Sequence, residues 1–508
     1  MTTLPTGLPV VVDRDQPVPL AIQISAQLQA AVAGSVLRAG DRLPSSRDLA
    51  STLGVSRTVV TNAYARLFAE GWLEGRHGSG TYVADVTASD QGVRKVPGCG
   101  QPAGTSAQDD SERSVVSPTS PAISASGEPA VPAGLIDLQP GISWAEGIEP
   151  AAWRRAWRQA GAHLPSRWPD QHGLPELRVE VAAYLRRSRG LAVTPAHILI
   201  TQGVSSGLAL LAEGLLAPGD KAGIEEPGYP TGREVLRRAG AQVVPCRVDA
   251  HGILPEELPS DLKLLYTTPA HQYPLGGRLP VSRRQALVAW ARATGALVVE
   301  DDYDSEFRYD VGPLPALHSM DPDAIVYLGT ASKVLATAFG AGWLAAPPDL
   351  VERLAALRPR LGVRIPEPVQ HAVLALLRSG DLERHVRKMR LEYARRRAAL
   401  VDALTHGPRG AAGADALTTV GSVDDPARVP FRLLGDTAGM HIVLELPDDY
   451  PTDRLIAAAA ARGVAVYPLT RYFAGPPTMN GLILGYGTAT LPQVRRAAAE
   501  LAQLVTSR

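Results

Sequence analysis

Along the 508 residues the spacing of apolar positions changes character more than once. Over 19–37, Leu20, Ile22, Ile24, Leu28, Val32 and Val36 recur mostly at helical intervals, which predicts a helix closed by Gly40-Asp41. In LPSSRDLASTLG, Ser45 or Ser46 can cap a helix whose inner face is Leu49, Ala50 and Leu53, and Gly54 ends it. Ser56 then caps a second helix over 57–70, with Val59, Val60, Ala63, Tyr64 and Leu67 inward. Two short strands, 72–74 and 81–83, flank a glycine-rich tip, so the front of the chain reads as a helix-turn-helix with a wing. Beyond residue 135 the pattern differs. Short apolar runs (198–201, 221–224, 241–245, 264–267, 296–299, 324–328, 342–345) alternate with helical patterns (174–189, 205–216, 231–239, 282–294). That alternation predicts an α/β unit with a largely parallel sheet between helices. A long helix at 382–404 leads to a smaller unit with strands at 440–446, 465–467 and 481–484 and helices at 452–462 and 492–504. The alanine run 457–461 falls inside one of those helices and reads as packing.

Residues 86–134 carry almost no large apolar side chains and are rich in Pro, Ser, Gly and Ala. Such a segment cannot offset its ordering entropy by burial, so it reads as a flexible linker between domains 1–85 and 135–508. As a coil its mean span is about 40 Å, at roughly 5–6 Å times the square root of its length. Net charge is zero, which excludes neither nucleic acid nor small molecules. The only cysteines, Cys99 and Cys246, make no disulfide framework, which suits a reducing cytoplasm. No stretch approaches the roughly 18 apolar residues of a membrane span, and no secretory signal opens the chain.

Charge alone does not mark the front unit as a DNA reader, because residues 1–85 hold seven Arg and seven Asp or Glu. Placement does. A recognition helix entering the major groove by its N-terminal end would bring Arg57, Thr58, Thr61 and Asn62 to the DNA. Arg47 would reach phosphate from the preceding helix, and Arg76 and His77 would reach the backbone or minor groove from the wing. The competing reading is a helical protein-interaction module. The stretch LPSSRDLASTLGVSRTVVTNAYARLFAEGWLEGRHGSGTYV resembles the GntR-type winged helix along its whole length. The resemblance implies that Arg47, Arg57, His77 and Gly78 contact DNA, with Thr61 where some members carry another arginine.

In the large unit, one strand ends in Glu300-Asp301-Asp302-Tyr303 and the next is followed by Lys333. A lysine for a Schiff base and an acid for a ring nitrogen at neighbouring strand ends are what pyridoxal 5′-phosphate (PLP) chemistry requires. The motifs LPELR (174–178), EPGYP (226–230), TPAHQYPLG (268–276), EDDYDSEFRY (300–309) and GTASK (329–333) make the region similar to fold-type I aminotransferases. With the winged helix ahead of it, the chain resembles the MocR-type regulators. The resemblance implies that Lys333 carries PLP, Asp301 pairs with the ring nitrogen, Tyr303 bonds the ring O3′ and Tyr229 stacks on the ring. Gly203, Val204, Ser205 and Thr330 would hold the phosphate. Four positions depart from working aminotransferases: Gly340 replaces a phosphate-binding arginine and Trp168 a tyrosine that reaches the neighbouring subunit. Tyr273 replaces an asparagine, and Ile483 stands where the arginine that clamps the substrate carboxylate belongs. The expectation is a head-to-tail homodimeric, cytoplasmic, operator-binding regulator that senses PLP or a PLP–ligand adduct, its effector being PLP, an amine or an amino acid, and that lacks transaminase activity. The alternatives are a PLP-dependent aminotransferase with an accessory DNA module, or a regulator that has lost PLP.

Overall fold

A computed structural model describes residues 10–14, 19–33, 36–70, 72–76, 80–84, 134–309, 315–406, 431–435 and 438–506. The linker expected over 86–134 lies outside the described residues except for Gly134, as do His77 and Gly78.

The front unit folds as helices α1 (Leu20–Ala33), α2 (Ser46–Leu53) and α3 (Arg57–Glu70) and strands β1 (Leu73–Arg76) and β2 (Gly80–Val83). Ser45 caps α2 by accepting from the Asp48 N–H at 3.2 Å, and Gly54 closes it at a left-handed φ of 63°. The strands pair antiparallel from Leu73 opposite Val83 to Arg76 opposite Gly80. Ile24, Leu28, Leu49, Val60 and Leu67 form the core. Among the described residues helix α1 runs to Ala33, and Val36 and Leu37, which the pattern places inside it, are not helical. The N–H groups of Val36 and Leu37 both turn back to Ala31 O (2.8 and 2.9 Å), which drops Leu37 into the core and leaves Val36 exposed.

The large domain is built on an eight-stranded sheet. In spatial order its strands are Ile198–Thr201, Gly342–Ala345, Ile325–Thr330, Leu297–Asp302, Leu264–Thr267, Lys221–Glu226, Gln242–Asp249 and Gly252–Ile253. The central pairings are parallel; Gly342–Ala345 runs against both its neighbours, and Gly252–Ile253 against its own. Alternate side chains of each strand serve opposite faces. Ile198, Ile200 and Tyr327 pack with helices Pro175–Arg189 and Glu367–Arg378. Leu199, Val326 and Leu328 pack with Val204–Leu215 and Pro348–Leu361. Both faces being covered explains why these strands read as unbroken apolar runs.

The small domain is a four-stranded antiparallel sheet in the order Arg432–Leu434, His441–Leu446, Asn480–Gly485, Tyr467–Pro468. Helices Asp381–His406 and Leu491–Thr506 pack with each other and share its core. The single strand expected at 465–467 is two. Val464–Ala465 pairs parallel with Ile136–Asp137, and after Val466 the chain changes sheets, so that Tyr467–Pro468 joins the edge of Asn480–Gly485. No helix among the described residues is long and apolar enough to cross a membrane.

Candidate functional site: a lysine–aspartate pocket and an exposed recognition helix

Parallel strands present their C-terminal ends at one edge of the sheet, the customary ligand position in α/β folds. Here that edge gathers the ends of Ile198–Thr201, Lys221–Glu226, Leu264–Thr267, Leu297–Asp302 and Ile325–Thr330. Lys333 follows the last of these and is half-buried. Its Nζ donates to the carbonyl of Gly141. Burial lowers the Lys333 pKa, and the carboxylates of Asp301 and Asp304 act to raise it. A desolvated amine with a depressed pKa is a competent nucleophile toward an aldehyde.

Asp301 stands on the adjacent strand. Desolvation pushes its carboxyl up to about 8, against the lowering effect of a hydrogen bond from the Tyr266 hydroxyl to Oδ2. Its other oxygen, Oδ1, is buried and meets no donor. An orphaned carboxylate oxygen inside a protein is costly unless something completes it. A protonated pyridine nitrogen is such a group, so the donor set fits PLP.

Around this pair the structure places the remaining expected residues. Tyr303 is buried, its hydroxyl 3.0 Å from His271 Nδ1. The Tyr229 hydroxyl is 3.1 Å from Ser205 Oγ, and its ring lies 6.2 Å from that of Tyr266, inclined by 22°. Helix Val204–Leu215 starts from Gly203, whose φ of 129° a side chain would disfavour. A Cβ there would meet Ser332 Oγ and Thr330 Oγ1, each at 3.9 Å. Gly203, Val204, Ser205 and Thr330 therefore surround one helix N-terminus, a natural seat for phosphate. Gly340, at φ 61°, presents no side chain there.

The other departures are also located. Trp168 is 82% exposed on this single chain. Ile483 is fully buried, opposite Val443 and Tyr467 in the small-domain sheet. Tyr273 is ringed by aromatic neighbours: Tyr229, Tyr303, His441 and Tyr472 lie 5.3–6.1 Å away by ring centroids. Its hydroxyl donates to that of Tyr472 at 3.3 Å. Sequence reasoning did not single out Tyr266, His271, Asp304, His441 or Gly141 as site residues. His271 and Asp304 lay inside the quoted motifs, and the signal was an ionisable side chain in a run that is otherwise buried.

On the winged helix, Arg47, Arg57, Thr58, Thr61 and Asn62 are all exposed, at the start of α2 and along the first turns of α3. Arg57 Nε donates to Ser46 Oγ at 3.3 Å, which ties the two helices at that surface. Arg76 ends β1 opposite Gly80.

Residues 143–418 match the family model of aminotransferase class I and II, and residues 20–83 that of bacterial regulatory proteins of the gntR family. The chain is 36% identical over 499 residues to the HTH-type pyridoxine biosynthesis transcriptional regulator PdxR of Corynebacterium glutamicum, covering 98% of this chain and 99% of the relative. It is 32% identical over 481 residues to the probable rhizopine catabolism regulatory protein MocR of Rhizobium meliloti, covering 94% and 92%. Among solved structures it is similar to an archaeal alanine:glyoxylate aminotransferase, with a TM-score of 0.64, 25% identity, and coverage of 73% of this chain and 90% of that one. The joined domains and the near full-length matches lead to one assignment: the chain belongs to the MocR-type HTH transcriptional regulators, in which a gntR-family DNA-binding domain is joined to a class I and II aminotransferase domain.

Proposed function

We propose that this regulator binds operator DNA through Arg47, Arg57, Thr58, Thr61 and Asn62, with the wing residues Arg76, His77 and Gly78, and takes PLP as its effector in the Lys333 pocket. The observation that carries the effector reading is the buried, unpartnered Oδ1 of Asp301 beside a desolvated Lys333. PLP bound there supplies an aldehyde for an amine and a ring that withdraws electrons. Lys333 would hold the aldehyde carbon, Asp301 the ring nitrogen, Tyr303 the phenolic oxygen and Tyr229 the ring face. Gly203, Val204, Ser205 and Thr330 would hold the phosphate. The Corynebacterium relative is named for pyridoxine biosynthesis, which favours a vitamin B6 compound over an unrelated amine.

A regulator rather than a transaminase is supported by Ile483. A packed aliphatic side chain in the small-domain sheet cannot replace the bidentate contact that holds an α-carboxylate. A homodimer with head-to-tail subunits would present two recognition helices to two half-sites, in the cytoplasm where its operator lies.

The test is an absorbance titration of the purified protein with PLP, with operator binding measured at each point. A visible band near 420 nm (roughly where PLP proteins with a bound lysine absorb) should grow with PLP, and Lys333→Ala should abolish it while keeping basal operator affinity. An unchanged spectrum of the unaltered protein on adding PLP sinks the effector reading.

A further inference from the structure

His271 stands between the cofactor pocket and the small domain and touches both. Its Nδ1 is 3.0 Å from the Tyr303 hydroxyl and 3.0 Å from Asp304 Oδ2. An ionised carboxylate only accepts, so Nδ1 carries the proton and the phenol competes with Asp304 for it. The same Nδ1–Cε1 edge of the ring bears on Gly439. A Cβ on that glycine would come within 2.1 Å of His271 Cε1 and 2.8 Å of Asp304 Oδ2. Gly439 has little freedom to retreat: its φ is +77°, its N–H donates to Phe307 O at 2.8 Å, and its carbonyl accepts from Tyr486 at 2.8 Å and from Tyr309. Two residues on, His441 Nε2 donates to Pro274 O at 2.9 Å. One corner of the small domain is thus fastened to the two large-domain loops that carry Tyr303 and Tyr273.

We propose that His271 is a positioning residue that couples occupancy of the cofactor pocket to the seat of the small domain, because the one ring edge that holds the Tyr303 hydroxyl also bears on Gly439. The proposal rests on the PLP reading above. The Tyr303 hydroxyl has a single proton. When it donates that proton to a phenolic oxygen in the pocket, its own oxygen turns to accept from His271 Nδ1–H. With the pocket empty, that N–H belongs mainly to Asp304. Occupancy therefore draws the imidazole from Asp304 toward Tyr303, and the edge that moves is the one in contact with Gly439. His271, Asp304 and His441 also bring one donor atom each within 4.8 Å, as a metal site would. The Asp304–His271 and His441–Pro274 hydrogen bonds use His271 Nδ1, Asp304 Oδ2 and His441 Nε2 and leave His271 Nε2 and His441 Nδ1 without a partner, so the test below includes removal of a cation.

Full-length protein is titrated with PLP across pH 6–9, and operator binding is measured with and without PLP. His271→Phe keeps a ring against Gly439 and removes the N–H; His271→Asn restores a short polar group near the Nδ1 position. Both should bind operator without PLP as the unaltered protein does. His271→Phe should lose about 2- to 13-fold in PLP affinity, the fold-change of one neutral hydrogen bond. It should also shift the pH midpoint of the visible band by about half a unit or more and lose most of the PLP-induced change in operator affinity. His271→Asn should recover a large part of each. If His271→Phe does not fold, His271→Leu reads the same quantities with a smaller side chain. An unshifted pH midpoint together with a full PLP response in the apolar variant overturns the proposal. So does a changed PLP response of the unaltered protein after dialysis against EDTA, which would assign the cluster to a cation. No visible band in the unaltered protein instead overturns the PLP reading, before any His271 variant is compared.

Discussion

Replacing Asp301 by Asn tests whether the pocket holds a protonated acid before any ligand arrives. Burial raises the Asp301 carboxyl from 3.8 to about 8. Between those values the folded chain holds a proton that the unfolded chain has released. Stability is greatest below the unfolded value and falls as pH rises toward the folded one, by about 1.4 kcal/mol per pH unit. From pH 5.5 to 7.5 the loss is about 3 kcal/mol in the unaltered protein and absent in Asp301→Asn, which does not titrate. Unfolding of the roughly 370-residue effector domain carries an entropy near 0.8 kcal/mol/K, at about 2.1 cal/mol/K per residue. The melting temperature of the variant minus that of the unaltered protein should therefore rise by about 3 °C across this pH window. Lys333 works in the opposite sense, since its lowered pKa favours folding at higher pH; its contribution sets in above the value to which it is lowered. Thermal unfolding monitored without PLP at several pH values reads the difference directly. If the two proteins keep the same separation at pH 5.5 and 7.5, Asp301 is ionised in the fold and the desolvation argument fails.

Two further outcomes follow from the same contacts. Arg57→Ala should weaken operator binding at all sequences and lower the salt dependence by about one counterion, read as the slope of log affinity against log salt; an unchanged slope removes Arg57 from the DNA face. Arg189→Met should destabilise the effector domain by about 3–5 kcal/mol in urea unfolding, because the buried Arg189 is bonded to Asp302 at 2.5 Å and lies 3.1 Å from Glu306, and its loss strands two buried carboxylates; a cost below about 1 kcal/mol would contradict that.

What the sequence made legible follows from where the physics is local. The core strands stood out because burial on both faces removes polar residues from consecutive positions, so 264–267 and 342–345 coincide with Leu264–Thr267 and Gly342–Ala345. Lys333 and Asp301 stood out because a charge at the end of such a run needs a reason. The end of α1 was misjudged because Val36 continues the apolar pattern, while the turn that exposes it is made by backbone groups. The sheet change at Val466 depends on Ile136–Asp137, which is distant in sequence and carries no mark of its partner. The same holds for His271 against Gly439, where the fit is between a ring and a missing side chain. Gly141 contributes a carbonyl, which every residue has, so no composition or spacing points to it.

That carbonyl has a mechanical meaning. Residues 136–144 run as a strap between the domains: Ile136–Asp137 is paired with Val464–Ala465, the Leu138 carbonyl accepts from Gly485, Ser143 Oγ donates to Ser332 O at 3.0 Å, and the Trp144 N–H donates to Tyr393. Lys333 fastens the middle of this strap at Gly141. The strap starts two residues after Gly134, and the chain from Gly134 to Gly141 reaches at most about 25 Å when fully extended. A lysine nitrogen engaged by a ligand cannot hold Gly141 as it does here. Of the fastenings named, the Lys333 contact is therefore the one that chemistry can undo, and it lies seven residues after Gly134, on the side of the strap that leads back in sequence to the DNA reader.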